Sequence, residues 1–184
     1  MANKVLMGFS DLYIGTYTVG EGGTVTMGTP YHQAGAVGFS PSESSDRNDF
    51  YADNVAYYSS FGNAPIEGDL TVAMFDDAFK TQFLGYVATA DGGLAQVKNP
   101  VKPSVYMAFE VQGDQEARRV IFYNGTLGEI TREYGTIEDT REPQTESIPT
   151  SFAGDNGTGI KMVTYKPGDA GYATLFTNPP APAL

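Results

Sequence analysis

The strongest constraint on the fold is the alternation of apolar and polar residues at a spacing of two in several segments of the chain. In the segment 66–74 the large apolar residues fall on one face of an extended backbone, and Glu67 and Asp69 fall on the other. Successive side chains of a strand point to opposite sides, so this arrangement is typical of a sheet with one buried face. The segment 105–111 alternates in the same way. The pattern therefore predicts strands that are apolar on one side and polar on the other.

Composition and turn signals extend this prediction to the whole chain. The 22 glycines and 11 prolines are spread among 12 tyrosines, 11 phenylalanines and many β-branched residues, a mixture typical of strands joined by turns. The 184 residues are enough for one domain with a proper core and few for two. Strands are predicted at Leu12–Val19, Val37–Phe39, Val55–Phe61, Ile66–Phe75, Val105–Val111, Val120–Tyr123, Leu127–Tyr134, Glu146–Phe152 and Ile160–Tyr165.

One helix is predicted to begin at Asp76–Asp77. Acidic residues suit a helix N-terminus, and Phe79, Phe83 and Val87 recur at four-residue spacing. Gly85 marks an early end of this helix or a weak point within it. We expect the apolar stripe to pack on the sheet.

The segment 40–54 shows neither helical nor strand periodicity and is long for a connection. Its polar first part is a candidate arm, with Phe50 and Tyr51 as anchors at the base. The alternative is a surface loop whose two aromatic residues pack on their own domain. The residues alone leave both possibilities open.

The formal net charge of −11 argues against a protein that grips nucleic acid, because duplex affinity depends on lysine and arginine. It is compatible with a wall past which DNA slides without adhering. Met1–Gly8 contains one lysine and no sustained apolar run, so we expect neither a signal peptide nor a membrane anchor. The chain is expected to be made and kept in the cytosol.

A search for reactive groups favours a protein that is not an enzyme and uses no cofactor or metal. The chain has no cysteine, and its single histidine, His32, has no nucleophile elbow nearby. Glu67 and Asp69 could in principle be a glycosidase pair, but no tryptophan is present to line a sugar cleft. Asn124–Thr126 and Asn156–Thr158 match the glycosylation sequon and are interpreted as turns.

Six short segments, in their order along the chain, resemble the major tail tube protein of long, flexible-tailed bacteriophages of the siphovirus type. They are Met1–Phe9, Phe50–Val55, Glu67–Leu70, Ala78–Thr81, Arg118–Asn124 and Glu142–Ile148. Each is weak alone, and together they span nearly the whole chain.

The resemblance implies a β-sandwich or partly closed β-barrel flanked by one α-helix. It implies a single tail tube domain over 1–184, with an assembly loop around 40–54 and a short proline-rich C-terminal tail at 177–184 whose tip could bridge subunits. Such subunits form hexameric rings that stack into a hollow tube, assembled in the host cytoplasm as part of the virion tail. The implied partners are other copies of the chain, the tape-measure protein, the tail terminator and the tail-tip proteins, with DNA only in passage and no membrane.

The resemblance also nominates site residues. The expected contacts between subunits are Phe50, Tyr51, Asp53 and Asn54, and the expected lumen-lining residues are Glu67, Asp69, Glu129 and Glu133. Without the resemblance, a solvated sheet face is the preferred explanation of Glu67 and Asp69, because this is what alternation normally indicates. The main alternative function is a β-sandwich module that binds carbohydrate or protein through its tyrosines.

Overall fold

A computed structural model describes residues 5–45, 47–52, 54–136 and 143–184 of the chain. The strands are β1 Leu6–Val19, β2 Val25–Met27, β3 Tyr31–Gln33, β4 Ala36–Glu43, β5 Arg47–Ala52, β6 Val55–Phe61, β7 Ile66–Val72, β8 Val87–Ala88, β9 Leu94–Ala95, β10 Val105–Gly113, β11 Arg118–Leu127, β12 Thr131–Arg132, β13 Glu146–Phe152 and β14 Met162–Tyr165. The helices are α1 Asp77–Phe83 and α2 Ala170–Thr174. With 46% strand and 9% helix, the chain is mostly β, as predicted.

One antiparallel sheet forms the body of the molecule, in the order β2-β1-β10-β11-β13-β7-β4. β3 also pairs with β1, β12 with β13, and β14 with β11. Two short hairpins, β5-β6 and β8-β9, form separate two-stranded sheets. No helix among the described residues is long and apolar enough to cross a membrane.

A sharp bend in the chain draws the two ends of this sheet together. β3 pairs with β1 and β4 pairs with β7, yet only Ala34 and Gly35 separate β3 from β4. Gly35 adopts φ +79°, and its carbonyl accepts a hydrogen bond from Ala73 N at 2.8 Å. Phe39 of β4 reaches Phe109 of β10, with ring centroids 5.9 Å apart. The sheet therefore curls so that β4 and β10 face each other across one core, and the predicted mostly β fold class is confirmed.

Helix α1 covers the main core and begins where it was predicted. Asp76 caps it by accepting a hydrogen bond from Phe79 N at 2.7 Å. Phe79 and Phe83 are fully buried in the cluster that fills the curled sheet. The helix ends at Phe83, and Gly85 follows at φ +68°, so Val87 lies in β8 outside the helical stripe.

A second apolar cluster covers the opposite face of β1, β10 and β11. It contains Tyr17, Tyr106, Ala108, Ile121, Tyr123 and Leu175. Leu175 directly follows α2, which the sequence did not predict, and it is fully buried. The C-terminal segment thus packs on the sheet face away from α1.

Several local predictions were wrong. The segment 40–54 is not irregular: β4 extends to Glu43, and β5 and β6 form a hairpin. Asn124–Thr126 lies within β11, where Asn124 adopts φ +51° at an irregular register, so it is not a turn. The turn predicted at Asn156–Thr158 is confirmed, since Gly159 N donates to Asp155 O at 2.8 Å.

Candidate functional site

Glu67 and Asp69 lie on the exposed face of the sheet, opposite the core, as the alternation predicts. Both side chains are exposed, whereas Leu70 and Val72 on the other face are fully buried. In the cross-strand register, Glu67 lies between Ser42 and Ser151. Asp69 lies in the same way between Ser40 and Pro149. The two carboxylates are therefore two steps apart in the middle of a three-stranded surface.

These residues line a groove, which we call the acidic groove, formed by β4, β7, β13 and the end of β11. Its side chains are mostly small and polar: Ser40, Ser42, Thr126, Thr150 and Ser151. None of the residues that line it is lysine or arginine. The charged side chains among the described residues that line it are thus Glu67 and Asp69, which make the lining acidic.

The backbones of β4 and β7 approach closely at the centre of the acidic groove. A Cβ on Gly68 would lie 2.5 Å from the carbonyl oxygen of Ser40, too close for any side chain. Thr150 Oγ1 donates to Gly68 O at 2.8 Å from the neighbouring strand. Glycine at this position therefore allows the backbones to approach and fixes the spacing of the two carboxylates.

Glu129 and Glu133 do not lie on one strand, so the continuous strand predicted over Leu127–Tyr134 was wrong. β11 ends at Leu127, and β12 contains only Thr131 and Arg132. Lys102 Nζ donates to the carbonyls of Leu127 and Gly128 at 3.2 and 2.7 Å and to Glu129 Oε1 at 2.6 Å. The chain leaves the strand where this lysine binds it. Glu129 is held in the ion pair with Lys102, and Glu133 is exposed beyond β12.

The hairpin β5-β6, which we call the arm, carries an unusual density of exposed aromatic residues. Tyr51, Tyr57 and Tyr58 are 65%, 77% and 63% exposed. Phe50 lies in β5 opposite Tyr58 in the register. A hairpin of two strands is marginally stable in water without further packing. The arm therefore has the properties of an interaction surface: exposed aromatic side chains on a hairpin that further packing would stabilise.

The remaining arm residues nominated from the sequence lie at its turn. Asn54 adopts φ +60° and is exposed. Asp53 lies outside the described residues. The structure thus places Phe50, Tyr51 and Asn54 on one hairpin, which forms a two-stranded sheet separate from the main sheet that carries the acidic groove.

Lys161 holds both roots of the arm, and no pattern in the sequence pointed to it. Its Nζ forms an ion pair with Glu43, the last residue of β4, and donates to Ala64 O at 2.8 Å. Ala64 follows the arm on the other side. The backbone of Lys161 is itself fixed to β11, because its carbonyl accepts a hydrogen bond from Tyr123 N at 3.0 Å. One side chain therefore joins the two points of the chain that flank the arm to the body of the protein.

Arg119 fastens the C-terminal segment to the sheet. Its guanidinium carbon lies 4.3 Å from the ring centroid of Tyr172 and 4.2 Å from that of Phe176. Nε pairs with Glu110 at 3.0 Å, and Nη1 donates to Tyr172 O at 2.6 Å. Sequence reasoning missed this residue, because its partners in and after α2 are more than fifty positions away.

Residues 2–158 match the family model described as phage tail tube protein, and the chain belongs to this family. Among solved structures, the chain is similar to one from the tube-terminating cap of the anti-feeding prophage, with a TM-score of 0.53 at 9% identity, covering 90% of this chain and 95% of that one. It is also similar to a chain of the sheath–tube complex of PVC, an extracellular contractile injection system, in its extended state. That TM-score is 0.50 at 8% identity, covering 85% and 88% of the two chains. No curated protein matches the sequence.

The family match confirms the resemblance found in the sequence. A phage tail tube protein is a structural component of the virion tail, and the two solved structures, at such low identity, support the shared fold alone. The acidic groove and the arm are therefore best considered as surfaces of a structural subunit.

Proposed function

We propose that this chain assembles into hexameric rings that stack to form the hollow tail tube of a long-tailed, siphovirus-type phage, and that DNA is delivered through this tube. The observation that carries the proposal is membership of the tail tube family over residues 2–158. A ring closes only if each subunit presents complementary surfaces to its neighbours. The partly closed sheet and the projecting arm are the kinds of surface that such closure uses.

In this proposal the acidic groove faces the lumen. Carboxylates at Glu67 and Asp69, with no basic residue among those lining the groove, repel the phosphates of passing DNA. Because of this repulsion, passing DNA would not adhere to the wall of the tube. The small serine and threonine side chains around them leave the wall smooth.

The arm supplies contacts between subunits. Tyr51 on β5 and Tyr57 on β6 present large apolar area at low cost in side-chain entropy. Burial against a neighbouring copy would remove both rings from water. It would also stabilise the hairpin that carries them, which is only marginally stable alone. Phe50 and the turn residues Asp53 and Asn54 belong to the same proposed contact.

Further partners follow from the role of a tail tube. We propose that the tube encloses a tape-measure protein before DNA passes, and that it ends on a terminator and on tail-tip proteins. Assembly takes place in the host cytoplasm, and the product is the virion tail.

Electron microscopy of the purified full-length chain across a concentration series tests the proposal. We expect rings or tubes, with light scattering that rises steeply with concentration and faster when tail-tip complex is added as a seed. Monomers that remain dispersed under both conditions would contradict self-assembly. The exposed tyrosines of the arm also suit a carbohydrate- or protein-binding module, and dispersed monomers that bind a glycan array would support that alternative.

A further inference from the structure

Two prolines of the C-terminal tail, three positions apart, are buried against the chain's own surface. In the segment 179–184, Pro179 and Pro182 are buried, whereas Ala181, Ala183 and Leu184 are exposed. A polyproline helix has three residues per turn, so positions i and i+3 lie on the same face. The sequence Pro-Pro-Ala-Pro thus presents one face to the protein, as Pro-x-x-Pro ligands do in their binding grooves.

The surface beneath the tail has the chemistry of a proline-peptide groove. Tyr123 is fully buried, and its hydroxyl donates to Pro180 O at 3.1 Å. The Tyr165 hydroxyl interacts with that of Tyr123. Aromatic side chains also line the grooves in which separate domains recognise Pro-rich peptides. Burial raises the pKa of Tyr123 well above its usual value, which keeps the hydroxyl protonated as a donor.

The groove and its occupant belong to different parts of the chain. Tyr123 lies within the region that matches the tail tube family, and the tail lies beyond residue 158. Leu175 anchors the segment, and the exposed residues Thr177 and Asn178 that follow it donate their amides to Thr174 O at 3.0 and 2.7 Å. The tail is thus joined to the body through two exposed residues and ends in a freely exposed Leu184. Opening of the tail beyond Asn178 requires loss of the burial of Pro179 and Pro182 and of the hydrogen bond from Tyr123, a local opening that leaves the body folded.

We infer that this surface is a binding site for a Pro-x-x-Pro peptide, and that its occupant in an assembly is the tail of a second copy of this chain. Exchange of an identical segment between copies costs little, because the tail makes the same interactions with a neighbouring chain as with its own. Repetition of subunits in a tube raises the effective concentration of neighbouring tails. The second-copy part of the inference rests on the proposed tube, and the peptide site does not.

A labelled peptide with the sequence of residues 177–184 tests the site. The receptor is the full-length chain carrying Pro179→Ser and Pro182→Ser, which vacates the groove without shortening the protein. We expect saturable binding by fluorescence anisotropy, and binding weaker by roughly a factor of ten or more to the wild-type chain, whose own tail competes. Adding Tyr123→Phe to the receptor should weaken binding about fivefold through loss of one hydrogen bond.

A peptide with the same two serines is the matched control. Equal binding of both peptides, or no binding to the vacated chain, would overturn the site. If the double variant does not fold, Pro182→Ser alone serves as the receptor.

Native mass spectrometry then tests the second copy. A donor chain with an intact tail and Tyr123→Phe is mixed with the vacated acceptor, and we expect heterodimers in excess of either homodimer. Absence of heterodimers while the peptide binds would overturn exchange between copies. If the chain forms tubes but does not bind the peptide, the peptide site is refuted and the proposed function is unaffected. If the chain binds the peptide but never polymerises, the proposed function is refuted and the peptide site is unaffected.

Discussion

At the scale of single residues, Asp155 joins the last turn of the body to the first strand. It is 5% exposed, and its Oδ1 accepts a hydrogen bond from Tyr17 at 2.6 Å. Its Oδ2 accepts from Thr158 N and Oγ1 at 2.6 and 2.8 Å. The bond from Tyr17 is the main cause that lowers the pKa of Asp155 below its usual value. The turn could be predicted from Asn156–Gly157, but the burial could not, because Tyr17 lies 138 positions away.

Asp155→Asn should destabilise the protein by about 1–3 kcal/mol near neutral pH, because the amide cannot accept from both Tyr17 and Thr158 as the carboxylate does. The folded-state pKa is lowered, so the carboxylate stabilises the fold above its unfolded pKa of about 3.9 and loses this effect as the pH falls through the folded value. Urea unfolding at pH 7 and pH 3 measures the difference between wild type and variant.

We expect this difference to shrink at the lower pH. Asp91→Asn, at an exposed turn position, is the control and should change little at either pH. A wild-type–variant difference that stays constant with pH would show that the ionised form of Asp155 is not the source of its stabilisation.

Lys161 is the second residue whose role only the fold reveals, because it faces the arm from a connection that carries no motif. Lys161→Met keeps the aliphatic stem and removes the ammonium that holds Glu43 and Ala64. We expect amides at 43–45 and 62–64 to exchange hydrogen roughly fivefold faster, which corresponds to a decrease of about 1 kcal/mol in local stability. Hydrogen exchange with mass spectrometry measures this.

Lys166→Met, in an exposed position after β14, is the matched control. Equal acceleration in both variants would show that the arm does not depend on Lys161 for its anchorage.

At the scale of elements, the sequence predicted those whose signals are local and missed those formed by pairing. Helix α1 was predictable because Asp76, Phe79 and Gly85 act within one or two turns of chain. Strand β5, by contrast, reads Arg-Asn-Asp-Phe-Tyr-Ala and has no apolar alternation. It is a strand because β6 pairs with it, and strand preference depends on such neighbours.

The arm leads to a prediction about assembly. Tyr51→Ala combined with Tyr57→Ala removes two exposed rings, each worth about 2 kcal/mol if it lies at the centre of an interface. We expect thermal unfolding of the monomer to stay nearly unchanged, because neither ring is buried in the subunit, and tube formation to fail. Differential scanning calorimetry and electron microscopy measure the two effects.

Tyr134→Ala offers a control of the same chemistry, since this tyrosine is 86% exposed and lies outside the arm. Tubes that form normally from the double variant would remove the arm from the proposed contact. Loss of the thermal unfolding transition would instead show that these tyrosines contribute to the stability of the subunit itself.

At the scale of the whole molecule, the chain separates a dense apolar interior from a surface with a net charge of −11. The mostly β class follows from composition and alternation, but the strand order does not. β1 pairs with β10, β2 and β3, and β7 lies between β4 and β13, and these pairings join segments without any sequence signal of their partner. The bend at Gly35 that draws the sheet together depends on this strand order, so it could not be predicted from the sequence either.

Charge reversal in the acidic groove tests its proposed place on the lumen. Glu67→Lys with Asp69→Lys changes the net charge by +4, from −11 to −7. We expect tubes of normal length and slower DNA ejection from assembled particles, more so at low salt, because phosphates would find attractive sites that salt screens. Ejection rates across a salt series measure the effect.

Glu21→Lys with Asp91→Lys produces the same change of charge at exposed positions away from the groove. Ejection slowed equally by both pairs would point to overall charge, and ejection slowed by neither would refute the lumen assignment without touching the tube.

The long-range pairing of the sheet also fixes when, during synthesis, this subunit can take shape. Leu6 pairs with Gly113, and Val72 with Glu146, so the first strands leave the ribosome long before their partners exist. At about 5–20 residues per second, the interval lasts several seconds. During that time the abundant acidic residues keep the nascent chain apart from its siblings. We expect correspondingly slow refolding, in milliseconds to seconds by stopped-flow tyrosine fluorescence. Microsecond refolding would contradict the idea that these long-range pairings limit folding. If they do, a subunit can assemble with another copy only after its whole chain has been synthesised.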